Sequence, residues 1–320
     1  TINASGDQVY FSQGNLQYRA SENGTAGDLT HNVAGGGTAQ GQWRFAENQW
    51  DYVGTQTENN SKCYGGTVSG SDNFYISQTY SGWIDLFCWG TSGYDNTESD
   101  GYAVNYQPYS TSTTAAESGT DAYTHNRYGY GPSINRITQD LNLVGTSANY
   151  DWGVHNEIKA GDATIDAGTY RTLTKDEWLY LFSTRSASTV NGTANARYAK
   201  ATVNDTWGII LFPDSYTHPE GVTLPASIIN TTSGVAYTDN SYSNDDWTAM
   251  ESAGAVFLPA AGQRNGTTVS YVGNRGRYWS STYKDSDPTN AYYIGFASSF
   301  GSSTFLRCNG LSVRLVCPAE

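Results

Sequence analysis

The stretch from Arg277 to Val316 constrains the fold most, because it sets β-patterned ends around a polar, aromatic middle. Its first part, Arg277-Tyr278-Trp279-Ser280-Ser281-Thr282-Tyr283, holds residue types that suit a pleated surface. Its last part, Leu311-Ser312-Val313-Arg314-Leu315, alternates apolar with polar residues, the period of a half-buried strand. The run between them is almost all Tyr, Ser, Asn, Thr, Phe and Gly. Tyr and Phe supply rigid contact area at low entropic cost, and Ser, Asn and Gly supply adaptable hydrogen bonds. The pattern predicts a fixed frame that displays a contact surface, rather than an active site.

Composition narrows the class. The 320 residues suffice for one large or two ordinary domains, and no internal repeat or Pro-rich linker divides them. With a formal charge of −13 and a pI near 4.6, the chain is no partner for nucleic acid, whose phosphates demand Lys/Arg patches. Aromatic residues at 14% can bury a substantial core, which argues against disorder. Only 15% of residues are charged, so Ser, Thr, Asn and Gly carry the polarity. That balance suits an extracellular β-rich protein with long ordered loops. The chain begins at Thr1 rather than Met, so a processed product with its signal sequence removed is expected, outside the cell or anchored at its outer surface. No apolar run approaches the ~18–20 residues that span a bilayer. The longest clean one is Gly208-Ile209-Ile210-Leu211-Phe212.

Cysteines stand at 63, 88, 308 and 317, without CxxC or Cys/His metal spacing. They allow up to two disulfides or none, and free buried thiols are the plainer reading. Asn309-Gly310 signals a two-residue hairpin. Such a hairpin sets Cys308 opposite Leu311 and leaves Cys317 about 20 Å away, a poor bridging partner.

Along the chain, Val9-Tyr10-Phe11 and Leu16-Gln17-Tyr18 flank Ser12-Gln13-Gly14-Asn15 and predict an opening β-hairpin. Residues 19–42, 55–80 and 91–132 are polar and Gly-rich or Tyr-studded, and are expected as loop insertions in one domain spanning 1–320. Trp83-Ile84-Asp85-Leu86-Phe87-Cys88-Trp89 is dense enough in apolar groups to be core. Ile134, Ile137 and Leu141 share a face, which predicts a short helix over 134–143. Thr174 and Glu177 make a capping box for a helix whose Trp178, Leu181 and Phe182 fall on one side, with Arg185 at its last turn. Acids at 245 and 246 and Gly254 bracket a second helix over Asn244–Glu251. Strands follow at 255–258, 278–281, 291–296 and 311–316. The expected class is α+β, mostly antiparallel sheets with about two main helices and long ordered loops.

These segments resemble a known family. Tyr170-Arg171-Thr172-Leu173-Thr174-Lys175-Asp176-Glu177-Trp178-Leu179-Tyr180-Leu181 is similar to the R-L-P-T-x-x-E-W-E-Y helix of formylglycine-generating-enzyme-like domains. Tyr278-Trp279-Ser280-Ser281-Thr282 with Gly310-Leu311-Ser312-Val313-Arg314-Leu315-Val316 resembles the YWSS…GFSVRLV ending of the Fibrobacter succinogenes major paralogous domain family. Residues 9–18 and 254–262 resemble its members too. The resemblance implies a C-type-lectin-like fold, in which the chain ends meet in a small sheet and long loops rise over a second, twisted one. It also implies a secreted or surface protein of Bacteroidetes-type gut bacteria. Some proteins with this ending are variable proteins of diversity-generating retroelements, whose ligand-facing positions scatter among residues reachable from Asn-type codons. The segment 283–308 fits that palette, which makes Tyr283, Lys284, Asp285, Asp287, Tyr293, Ser298, Ser299, Phe300, Ser302, Phe305, Leu306 and Cys308 the expected ligand-binding residues. The expected partner is a protein or glycan on another cell or a host surface, bound by an adhesin-like protein.

Enzymatic readings are weaker. The formylglycine-generating enzymes use paired reactive cysteines near the C-terminal end, and Cys308 and Cys317 stand there, but the Asn-x-x-Gly-Leu-Tyr-Asp-Met signature is absent. Asp245-Asp246, Glu98/Asp100 and Asp285/Asp287 offer carboxylates with nothing to fix a glycosidase separation. His31, His125, His155 and His218 sit in separate contexts without triad or metal spacing. Gln107-Pro108-Tyr109 breaks the sugar-binding lectin motif, and neither Asp285-Ser286-Asp287 nor Asp95–Asp100 is a recognisable calcium loop. Accordingly no catalytic residue, metal ligand or cofactor is assigned. The alternatives are a structural surface protein without a specific ligand and a thiol enzyme of the resembling type.

Overall fold

A computed structural model describes residues 1–19, 42–52, 68–69, 73–75, 83–94, 141–226, 228–265, 268–287 and 289–319. It is a mixed α+β structure in which, among these residues, five sheets of three or four strands are mostly antiparallel. Most of the expected loop insertions, and Cys63, His31 and His125, lie outside the described residues. So do Ile134 and Ile137, while Leu141–Leu143 form bends rather than a helix. The 55–80 segment contributes strands β4 (Val68–Ser69) and β5 (Asn73–Tyr75).

The opening hairpin does not form. Strand β1 (Val9–Phe11) pairs instead with β18 (Leu315–Pro318), Val9 opposite Pro318, and β18 pairs on its other side with β8 (Arg171–Thr172). The two chain ends therefore meet in one small sheet. Strand β2 (Leu16–Arg19) joins β3 (Gln42–Phe45), β6 (Ile158–Ala160) and β7 (Ala163–Ile165). The switch between sheets occurs at Gly14, where a Cβ would stand 2.5 Å from the Ala46 carbonyl oxygen. This glycine is needed for close approach.

Strands β9 (Tyr198–Val203) and β10 (Thr206–Leu211) form a hairpin through Asn204 and Asp205, both at positive φ as a twisted two-residue turn requires. Strand β12 (Val256–Pro259) flanks β10, and β11 (Ser241–Tyr242) runs parallel to β9. A further sheet orders β13 (Gln263–Asn265), β14 (Thr268–Ser270), β5 and β4.

The longest strands form an antiparallel meander of β15 (Gly276–Tyr283), β16 (Asn290–Phe296) and β17 (Phe300–Leu306). Helix α1 (Trp152–His155) is a single turn. Helix α2 (Lys175–Ser183) carries the capping box, with the Glu177 amide donating to Thr174 Oγ1 at 3.2 Å and the Thr174 amide to Glu177 Oε2 at 2.8 Å. Its Trp178, Leu181 and Phe182 pack on Tyr278, Ile294 and Phe296 from one face of the meander. Helix α3 (Asn244–Ser252) starts on a Ser243–Asp246 box and ends before Gly254 at φ +89°. Its Trp247 and Met250 join Ala199, Ala201 and Phe257 in a separate core.

The other face of the meander presents Trp279, Ala291 and Tyr293 to Ile84, Leu86, Phe87, Cys88 and Trp89, the expected core segment. Burial from both sides explains why Tyr278, Trp279, Ser280 and Ser281 are all inaccessible. The ending departs from its half-buried pattern for the same reason. Leu311 to Val316 are all buried, Ser312 and Arg314 included, and only 315–318 form a strand. Nor is Asn309-Gly310 a hairpin. Neither residue has positive φ; Gly310 bridges Arg264, and a Cβ there would lie 2.0 Å from the Leu86 carbonyl oxygen.

Candidate functional site

Register decides which of the expected contact residues can meet. Successive turns of a meander lie at opposite ends of its strands, so Lys284, Asp285 and Asp287 occupy one tip and Ser298 and Ser299 the other. The seven residues of β16 hold these tips about 20 Å apart. At the first tip, Asp287 accepts from Thr289 Oγ1 at 2.6 Å and from Asn290 Nδ2 at 2.7 Å, bonds that hold its carboxyl below the usual range. Burial and the hydrogen-bonded Asp285 raise the Tyr283 phenol. Leu306 faces Asn290 at this end.

At the second tip Ser298 and Ser299 are exposed, but Phe300 turns inward and stacks on Phe182 at 4.0 Å. Ser302 is exposed on the edge strand, on the same face as Ile294. Tyr293 and Phe305 project from the opposite face, Tyr293 only 8% exposed. Cys308 is fully buried, and its carbonyl accepts from the Cys88 thiol at 2.9 Å. The twelve residues thus divide among two tips, two faces and the core. Among the described residues no disulfide joins Cys88, Cys308 and Cys317.

A different group converges beside the second tip. In the ladder, Arg277 lies opposite Gly295, which lies opposite Gly301, so one row of this face has a single long side chain and two glycines. A Cβ at Gly301 would meet open space. Over this floor the Arg277 guanidinium stands 5.1 Å from the Tyr293 ring and 5.4 Å from the Phe305 ring. Burial lowers its pKa, and neighbouring Arg275 lowers it further. Arg275 itself lies 3.9 Å over the ring of Tyr271. Among the described residues neither guanidinium has a side-chain hydrogen bond or an ion pair, only aromatic contacts.

The loop that carries Tyr271 and Arg275 is strapped down. Tyr271 has φ +61°, a conformation costly for a bulky residue. Its carbonyl accepts from the Asn274 and Arg275 amides at 3.0 Å, while Gly273 donates to the Ala260 carbonyl and Gly262 to that of Arg275, both at 2.8 Å. The backbone so fixed leaves the Tyr271 ring 36% exposed. On its far side the Asn274 carbonyl accepts from the Tyr237 hydroxyl at 2.7 Å, and Tyr237 stacks on Trp207 at 5.1 Å with 16° between planes. Trp207 is 39% exposed. An aromatic and cationic band therefore runs from Trp207 and Tyr237 through Tyr271, Arg275 and Arg277 to Phe305.

Sequence reading missed most of this band because its members come from four separate segments. One local signal existed: Arg275-Gly276-Arg277, two cations on alternate residues in a chain with 17 Lys and Arg against 30 Asp and Glu.

Elsewhere, a groove of about 290 Å³ lies between β1 and β10, lined by Val9, Phe11, Leu181 and Leu211. Its charged pair is satisfied: Arg185 bonds Asp214 at 2.6 Å and the carbonyls of Leu181, Arg197 and Phe212. Among the described residues no three His, Cys, Asp or Glu side chains group as metal ligands, and no helix is long and apolar enough to cross a membrane. No known protein family, curated protein or solved structure matches the chain.

Proposed function

We propose that this chain is a ligand-binding protein of the extracellular or cell-surface, adhesin-like type, built on a C-type-lectin-like fold. The pairing of the chain ends, the capping-box helix laid on the meander and the segment 84–89 under its other face support the fold. The observation that carries the function is the exposure of Trp207 and Tyr271 on a hydrogen-bonded base, one stacked on Tyr237 and the other held at positive φ. Rigid aromatic anchors amid polar groups are what a pre-ordered recognition surface needs. In this reading the contact surface comprises the 271–277 loop, β10 and the meander face around Arg277, with the Ser298–Ser299 tip at its margin. Of the two cysteines on which the thiol-enzyme alternative rests, Cys308 is buried and Cys317 half-buried, which does not favour that alternative.

The test is a glycan and protein array probed with the full chain and with the Trp207→Ala and Tyr271→Gly variants. Hits that vanish in both variants at unchanged melting temperature support the reading. Hits that persist undiminished in both place recognition elsewhere.

A further inference from the structure

We infer that the open face at Gly301, with Arg275 and Arg277 beside it, binds the carboxylate or sulfate of an acidic sugar. This rests on the ligand-binding reading above and names its ligand class. Two guanidiniums stand near one another with aromatic contacts and no carboxylate partner among the described residues. A guanidinium is a forked donor that matches an oxyanion with two parallel hydrogen bonds. An anion seated between the pair relieves their mutual repulsion, and partial burial of Arg277 strengthens the contact.

In the row Arg277, Gly295, Gly301 the space lies at Gly301, where a Cβ would meet nothing within 4 Å, whereas over Gly295 it would stand 3.0 Å from the Tyr293 ring. A side chain at Gly301 would occupy that space. The sugar class follows from the flanks. Trp207 and Tyr271 offer flat rings to the apolar C–H face of a pyranose, at either side of the loop that carries Arg275. The net charge argues for a single anionic group rather than a polyanion. At −13 the molecule repels a highly charged strand at long range, while one oxyanion within the ~8 Å Debye length of the arginine pair feels mainly those two cations.

Titration calorimetry and saturation-transfer NMR on the full chain, with four probes, test this. The probes are methyl glucuronide, glucose 6-sulfate, methyl glucoside and N-acetylglutamate amide. Binding of the glucuronide or the sulfate, with the neutral glucoside at least tenfold weaker, is the expected result, and comparison of the two acidic sugars distinguishes carboxylate from sulfate. Arg275→Gln and Arg277→Gln should each weaken the acidic sugar about tenfold, the loss of one charge-assisted contact. Gly301→Glu removes no packing and sets a carboxylate in the floor, so it should abolish binding in a folded protein even if an arginine variant is unstable. Undiminished binding in Gly301→Glu overturns the proposal. Equal binding of glucoside and glucuronide, lost in Trp207→Ala, overturns the oxyanion clamp and leaves the recognition surface standing. Equal binding of N-acetylglutamate amide overturns the sugar assignment, and no binding by any probe, against array hits that depend on Trp207, overturns the ligand class alone.

Discussion

Arg314, fully buried, donates through Nη2 to Oε1 of Gln49 at 2.8 Å. Gln49 in turn donates through Nε2 to Glu251 Oε1 at 2.7 Å, and its Oε1 also accepts the Phe257 amide at 2.6 Å. A neutral amide thus stands between a buried cation and a surface carboxylate. Burial pushes the Arg314 pKa down to about 10, with Tyr278 and Glu251 opposing the fall. Replacing Gln49 by Ala strips one partner from Arg314 and another from β12, so it should cost about 3 kcal/mol, in the range for hydrogen bonds to charged groups. Glu251→Gln, at an exposed position, should cost less than about 1 kcal/mol. Urea denaturation of the two variants checks the order.

Gly310→Ala should destabilise by about 2 kcal/mol or more, because its Cβ meets the Leu86 backbone at 2.0 Å and Arg264 at 2.8 Å. Gly301→Ala, which meets nothing, should stay within about 0.5 kcal/mol. Equal effects at the two sites, measured by thermal melts, would refute the assignment of Gly310 to close packing.

Thr174→Ala removes the hydroxyl that receives the Glu177 amide and should cost about 1 kcal/mol. The same change in Thr248, whose hydroxyl only back-bonds to the Asn244 carbonyl within α3, should be nearly neutral. Chemical denaturation compares them.

Among the tryptophans, Trp247→Ala should cost about 4 kcal/mol, since its ring is wholly buried against Phe257. Trp207→Ala loses chiefly one exposed stack and should cost about 1 kcal/mol. A large loss at Trp207 would mark it as a structural residue and count against its role in recognition.

The Ser243 hydroxyl and amide hold the Asp246 carboxyl below its ordinary 3.8. A depressed carboxylate stabilises the fold above the unfolded-state pKa and loses that contribution as pH falls through the folded value. The stability difference between the wild type and Asp246→Asn should therefore be flat from pH 7 to about 5 and shrink below about pH 4. Melts across pH 3–7 test the sign. A difference that grows on acidification contradicts it.

Short-range signals predicted well. Both capped helices lie where Thr174 and the Asp245-Asp246 acids set them, Ser243 supplying the second cap, and β12, β15 and β16 overlap their predicted spans. Failures share one cause: local pattern cannot report what lies on the far side. Ser312 and Arg314 read as solvent-facing because they are polar, yet each is buried, Arg314 on a partner 265 residues away. Asn309-Gly310 read as a turn because glycine permits positive φ, whereas the glycine answers to a neighbouring backbone. The expected contact residues are one contiguous stretch of sequence, and the meander distributes that stretch over two tips and two faces. The rings and guanidiniums that do adjoin come from β10, the 271–275 loop and β15, which only the closed fold unites.

The antiparallel match of Val9 with Pro318 has a mechanical consequence. Tension drawn through both ends of the chain enters this ladder at one end and would peel its rungs singly, the weakest loading geometry a strand pair can meet. Tension drawn through one end alone pulls a single strand against the rest of the fold: β1 is held by one ladder among the described residues, whereas β18 is held by two, on β1 and on β8. The side from which load arrives thus decides whether one ladder or two must yield.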